Sequence, residues 1–187
     1  AEMALSVMLL AGAGLLIKSF SRLQAVEPGF ATEGLVSFGL SLPEAAYDQD
    51  EKRVAFHESM LARLRALPGV RSAGAVSDLP MSGGVTYLTF DIAGRPEPAP
   101  GEEAAAQILR VTPDYFRTMR IPVRKGRVVE RTDRAGSPPV VVINEKLAEE
   151  YFPGEDPLGQ RILMSFEQDV EAFPWEIVGV VGNVQQF

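Results

Sequence analysis

Residues Val140–Met164 read VVVINEKLAEEYFPGEDPLGQRILM. The run VVVI is apolar and β-branched throughout, the pattern of a strand buried on both faces. Asn144 follows it. Asparagine caps helices because its side-chain oxygen accepts from a backbone N–H of the first turn. The next residues, EKLAEEYF, therefore form a helix, which Pro153-Gly154 halts. Asp156-Pro157-Leu158-Gly159 is a turn, and RILM (Arg161–Met164) is a short strand. Strand, capped helix, turn and strand thus follow one another in one short stretch.

Toward the C-terminus, PWEIVGVVGNV (Pro174–Val184) is an apolar strand with glycines where it bends or is crowded. Toward the N-terminus the pattern changes at Ile121, which makes residues 121–187 a separate small subdomain. Before that point, Leu35–Leu42 (LVSFGLSL) alternates in part and predicts a strand. Asp48-x-x-Glu51 resembles a capping box, although the box prefers Ser or Thr at its first position. The helix it opens runs to Leu67. Val54, Phe56, Met60, Leu61, Leu64 and Leu67 share one face of it, opposite Glu51, Glu58, Arg63 and Arg65. Pro68-Gly69 ends this helix, and Val70–Ser77 predicts a second strand. Strand, helix, strand over Leu35–Ser77 suggests a split βαβ unit of the ferredoxin-like kind. Val85–Gly94 alternates strongly, AAQILRV (Ala105–Val111) is a further strand, and Pro113 suits the first position of a helix PDYFRTM.

The opening stretch MALSVMLLAGAGLLI (Met3–Ile17) carries no charge. Its leucines surround the helix instead of forming one stripe, which favours lipid or complete burial. Ala11-Gly12-Ala13-Gly14 weakens a soluble helix but lets membrane helices approach closely. The run is shorter than the roughly 20 residues of a full span, and Ala1 is not an initiator Met, so the helix is expected to be cut short. A signal peptide would want basic residues ahead of the run, where Glu2 stands. The expectation is a membrane helix that continues past Ile17 and stops near Glu27, before Pro28-Gly29.

The formal net charge of −7, from 18 basic and 25 acidic residues, argues against nucleic acid as a partner. There is no Cys, hence no disulfide and no thiolate chemistry, and the single His57 leaves little room for a zinc site or a Ser-His-Asp relay.

Five segments in this order, LQAVEPGF, LRALPGVRSAGAVSDLPMSGG, VTPDYFRTMRIPVRKGR, VVINEKLAEEYFPGEDPLGQRI and WEIVGVVGNV, resemble the MacB-type periplasmic core domain of bacterial ABC transporter permeases. The likeness runs from about Met3 to Val184 and is most specific over Val141–Ile162. AEMALSVMLLAGAGLLIKSF is similar to the helix opening the second half of the long duplicated permeases of this group. Val128-Val129 depart from the acidic residue and Phe that relatives often carry.

The resemblance implies an α+β fold: a transmembrane helix with its extension (1–27), then two α+β subdomains, one Porter-like (28–120) and one Sabre-like with the start of a return strand (121–187). It implies the bacterial inner membrane with the globular part in the periplasm, and a role in mechanotransmission, the coupling of ATP-driven motion in the cytoplasm to export or other periplasmic work. An ABC ATPase subunit, a homodimer or pseudo-dimer of permease halves, and a periplasmic adaptor are the implied partners. ATP belongs to the separate nucleotide-binding subunit, in keeping with the lack of a GxxxxGK[ST] loop here. Lys18 and Arg22, on the domain side of the helix, run against the positive-inside rule. The alternative from another class is a membrane-anchored extracytoplasmic binding module with no ATPase partner.

The remaining motifs read as structure. Gly179-x-x-Gly182 lacks dinucleotide-fingerprint spacing. Ser82-Gly83-Gly84 has no helix N-terminus behind it to bind an anion. Glu149-Glu150 and Glu155-Asp156 are solvated surface, and His57 is a structural histidine at the edge of its helix face. Of Tyr115-Phe116 and Tyr151-Phe152, one member each is expected in the core and the other is a candidate contact residue. Trp175 is a packing residue at a strand edge. No nucleophile, base and orienting partner assemble from these motifs, so the expectation is a non-enzyme with no catalytic, cofactor-binding or metal-ligating residues.

Overall fold

The structure is a computed structural model, and it describes residues 2–24, 28–84, 86–96, 98–99, 102–166 and 172–185. Its elements in chain order are α1 (Glu2–Gln24), α2 (Asp50–Arg65), β1 (Tyr87–Ile92), β2 (Ala104–Gln107), α3 (Tyr115–Met119), β3 (Val123–Gly126), β4 (Val140–Asn144), α4 (Glu145–Tyr151), β5 (Arg161–Met164) and β6 (Phe173–Val181).

β6 is the spine of the sheet. β4 runs parallel to it, from Val140 opposite Glu176 to Asn144 opposite Val181. A strand has only two edges, and β4 occupies one of them over that length. The other edge is shared. β5 pairs antiparallel along Phe173–Glu176, and β3 pairs antiparallel along Gly179–Val181. β1 adds to β5 through Asp91 and Ile92, and β2 adds to β1. Strands from both sides of position 120 therefore share one sheet.

Asn144 caps α4 as its sequence predicts, accepting from the Leu147 N–H at 3.0 Å. The cap sets Leu147, Ala148 and Tyr151 over the sheet. There they pack against Phe90, Ile143, Phe152, Ile162, Met164, Ile177 and Val180. Each such side chain contributes about 1.5–3 kcal/mol by leaving water. The glycines of β6 stand where backbones crowd. Gly179 lies opposite Gly126, and a β-carbon on Gly179 would land on the Arg127 carbonyl oxygen. One on Gly182 would meet the Pro122 ring at 2.8 Å.

Several expectations need correction. Leu35–Leu42 belongs to no strand, and Val36, Phe38 and Leu40 are exposed on it. Its alternation is real, but among the described residues no strand pairs with it. Val70–Ser77 contributes one isolated bridge, Val76 to Val111. The ferredoxin-like split βαβ unit expected over Leu35–Ser77 is therefore not formed as a sheet among the described residues. α2 starts later than the capping box implied. Gln49 is its N-cap without a side-chain bond, and Asp48 pairs with Lys52 at 2.7 Å instead. Pro113 precedes the N-cap of α3, because the Tyr115 N–H closes a turn onto the Thr112 carbonyl. β2 ends at Gln107 because the chain then leaves β1. Ser77 N–H donates to Arg110 and Thr112 N–H to Ala75. β3 was not expected at all.

α1 covers the whole opening run, and its described apolar side chains, from Met3 and Met8 to Ile17 and Phe20, are exposed. Among the described residues no helix is long and apolar enough to cross a membrane. The stop expected near Glu27 lies outside the described residues.

A candidate coupling site around helix α3

α3 is five residues long and ends in a left-handed turn. Arg120 has φ 54°, and the Ile121 N–H reaches back to the Phe116 carbonyl at 2.9 Å. That closure turns Tyr115, Phe116, Met119 and Ile121 together into an apolar cluster with Val181. Tyr115 and Phe116 meet edge to face at 5.3 Å. Burial pushes the Tyr115 phenol up to about 12, so it stays neutral at physiological pH.

Three parts of the chain converge on this helix. The first is the segment after α1. Its Ala31 N–H donates to the Met119 carbonyl (2.9 Å), while its Pro28 carbonyl accepts from the Gln185 N–H (2.9 Å). Phe30 and Leu35 pack into the α3 cluster. Between Pro28 and Ala31, Gly29 takes φ 79°, and a β-carbon there would strike the Asn183 carbonyl oxygen. Only glycine meets both demands without strain.

The second is the chain leaving β6. Gly182 N–H donates to the Pro122 carbonyl at 2.8 Å, and the Asn183 side chain accepts from Lys146 N–H in the first turn of α4 at 2.9 Å. Val184 packs in the α3 cluster.

The third is α2 and the segment behind it. Arg65 Nη2 lies 2.6 Å from Asp114 Oδ2 and also donates to the Ala73 carbonyl at 3.1 Å. The other Asp114 oxygen accepts from Arg117 at 2.7 Å. Asp114 is the N-cap residue of α3, yet its backbone is already helical (φ −82°, ψ −2°) and it makes no side-chain cap bond, its two oxygens facing these arginines instead. Gly74 lies so close to Tyr115 that a β-carbon would meet its Cα at 2.8 Å. Thr112 Oγ1 accepts from the Ala75 N–H and donates to the Ala75 carbonyl.

The groups singled out in the sequence lie elsewhere. His57 is half-buried against Phe56, and its Nδ1 has no hydrogen-bond partner. Glu149 and Glu150 are exposed, Glu155 pairs with Arg95 at 3.3 Å, and Asp156 with Lys125 at 3.7 Å. Ser82 folds back on the Leu79 carbonyl. Trp175 meets Phe166 edge to face and lies tilted against Phe173, both at 5.3 Å. Tyr115 and Phe116 are both buried, Phe152 is buried and Tyr151 is half-buried against Phe90, so neither aromatic pair offers an exposed anchor. The convergence on α3 was not visible in the sequence. Its one local signal was Pro28-Gly29, which reads there only as a helix breaker.

An open groove of about 1080 Å³ runs beside this region, lined among others by Phe90, Ile108, Met164 and Trp175. The side-chain nitrogens of Gln107 and Trp175 on its wall are buried without partners.

No curated protein sequence is similar enough to count as a relative. Among solved structures, the periplasmic region of MacB from Actinobacillus actinomycetemcomitans is 18% identical, covers 70% of this chain and superposes with a TM-score of 0.50. The extracellular domain of the ABC-type transporter YknZ from Gram-positive bacteria is 22% identical over 72% of this chain, with a TM-score of 0.46 and 64% of its own length covered. A domain of a permease protein from Porphyromonas gingivalis matches more weakly, at 18% identity, TM-score 0.35, 57% of this chain and 42% of its own. The chain spans about half (52%) of the solved MacB region. Residues 3–187 match the family described as the MacB-like periplasmic core domain, and the chain belongs to that family.

Proposed function

We propose that this chain is the extracytoplasmic domain of an ABC transporter permease, anchored in the bacterial inner membrane by α1 and serving mechanotransmission. An ABC ATPase subunit supplies the motion, and the domain transmits it to export or other periplasmic work without catalysis of its own. The permease acts as a homodimer or a pseudo-dimer of two halves, with a periplasmic adaptor as a further partner. Its Porter-like part, 28–120, and its Sabre-like part, 121–187, are joined through the pairing of β1 with β5. The family match over residues 3–187 carries this reading. Two observations support it. The described apolar side chains of α1 are exposed, as lipid contact requires, and the segment after α1 is bonded to α3 and to the chain leaving β6.

The groove favours the second reading, a membrane-anchored binding module, because apolar concavities with a few polar groups are typical ligand sites. One purification separates the two. The complete protein is extracted from bacterial membranes and tested for a co-purifying ATPase. Retention in membranes until detergent is added, together with a bound ABC ATPase, is the expected result. Membrane retention without any ATPase would favour the binding module. A water-soluble monomer with α1 tucked into its own globule would overturn both.

A further inference from the structure

Asp114 stands at a junction that the family match does not describe. α2 carries few attachments to the rest of the domain, and of its residues only Leu61 is buried. Its last turn is held by Arg65, whose guanidinium bridges Ala73 and Asp114. The pair is mostly covered, with side chains 26% and 20% exposed, so it is less screened by solvent than the ion pairs at the other end of α2. α3 therefore has α2 latched to its first end through Asp114. The segment after α1 is bonded to its last end through Met119. A five-residue helix closed by hydrogen bonds at its C-terminus, with three buried side chains packed against Ile121 and Val181, moves as one piece.

We infer that α3 is a rocker and that Asp114 is its positioning residue, carrying displacement of the Pro28–Ala31 segment to α2 through Arg65. This rests on the transporter reading. With the Asp114–Arg65 latch in place, α2 follows the segment after α1. Without it, α2 stays behind while the sheet moves.

The test uses the complete permease with its ATPase. This chain has no cysteine; with cysteines elsewhere in the complex replaced, Glu51→Cys on α2 and Arg131→Cys in the loop after β3, both at exposed positions, give a spin-label pair whose separation is read with and without ATP. The parent is expected to show an ATP-dependent shift in that separation. Asp114→Asn and Arg65→Gln should each abolish the shift, the double variant should add nothing further, and Asp114→Glu should restore part of it. Unchanged Trp175 fluorescence in each variant shows that the sheet is still folded. The same ATP-dependent shift in Asp114→Asn as in the parent would overturn the rocker while leaving the transporter reading standing. No ATP-dependent shift in the parent would overturn the transmission of ATP-driven motion on which the rocker rests.

Discussion

Gly29 is the residue on which the junction between α1 and the domain turns. Its φ of 79° lies where side chains rarely go, and the Asn183 carbonyl occupies the place of a β-carbon. Gly29→Val meets both penalties. It should lower the stability of the domain by at least about 2 kcal/mol, read by urea unfolding followed at Trp175. Gly34→Ala is the control. Gly34 has φ 71° but open space around it, so it should cost less. Equal losses in the two variants would mean that the close approach to Asn183 contributes nothing. The sequence shows why this was hard to foresee. Pro28-Gly29 reads correctly as punctuation, but its packing partner lies near the far end of the chain, and no local pattern joins them. Asn144 is the opposite case. Its cap needs only Leu147, three residues on, and was legible at once.

At the scale of elements, β4, α4, β5 and β6 were all legible, because each is defined by its own composition and by the turn residues around it. Leu35–Leu42 has the composition of a strand, yet a strand also needs a neighbour to take its hydrogen bonds. β3 fails in the other direction. Val-Arg-Lys-Gly is a poor strand sequence, exposed at all four positions, yet it pairs with β6 along Val123–Gly126, where Gly126 lies close against Gly179. The capped helix offers a direct measurement. Asn144→Ala leaves the Leu147 N–H without its acceptor and should cost about 1 kcal/mol, seen as a lower midpoint of thermal unfolding. An unchanged midpoint would mean that α4 is held entirely by its packing on Phe90, Ile143 and Ile162.

At the scale of the molecule, the sheet, α2 and the chain leaving α1 meet at one short helix. That arrangement suits a domain that must follow a membrane helix. The family was legible because the segments around Val141–Ile162 are distinctive as strings. The pairing of strands across position 120 was not, since it depends on β1 and β5 finding each other across the five elements, β2 to α4, that separate them in the chain. The central claim is that α1 drives the domain, and Leu23→Pro in the complete transporter tests it most directly. Proline there removes the amide of the last helical turn and crowds the carbonyl one turn back, at a cost of about 3 kcal/mol to a helix interior. Export should be abolished while ATP binding stays intact. Export at the parental rate from that variant would contradict the account.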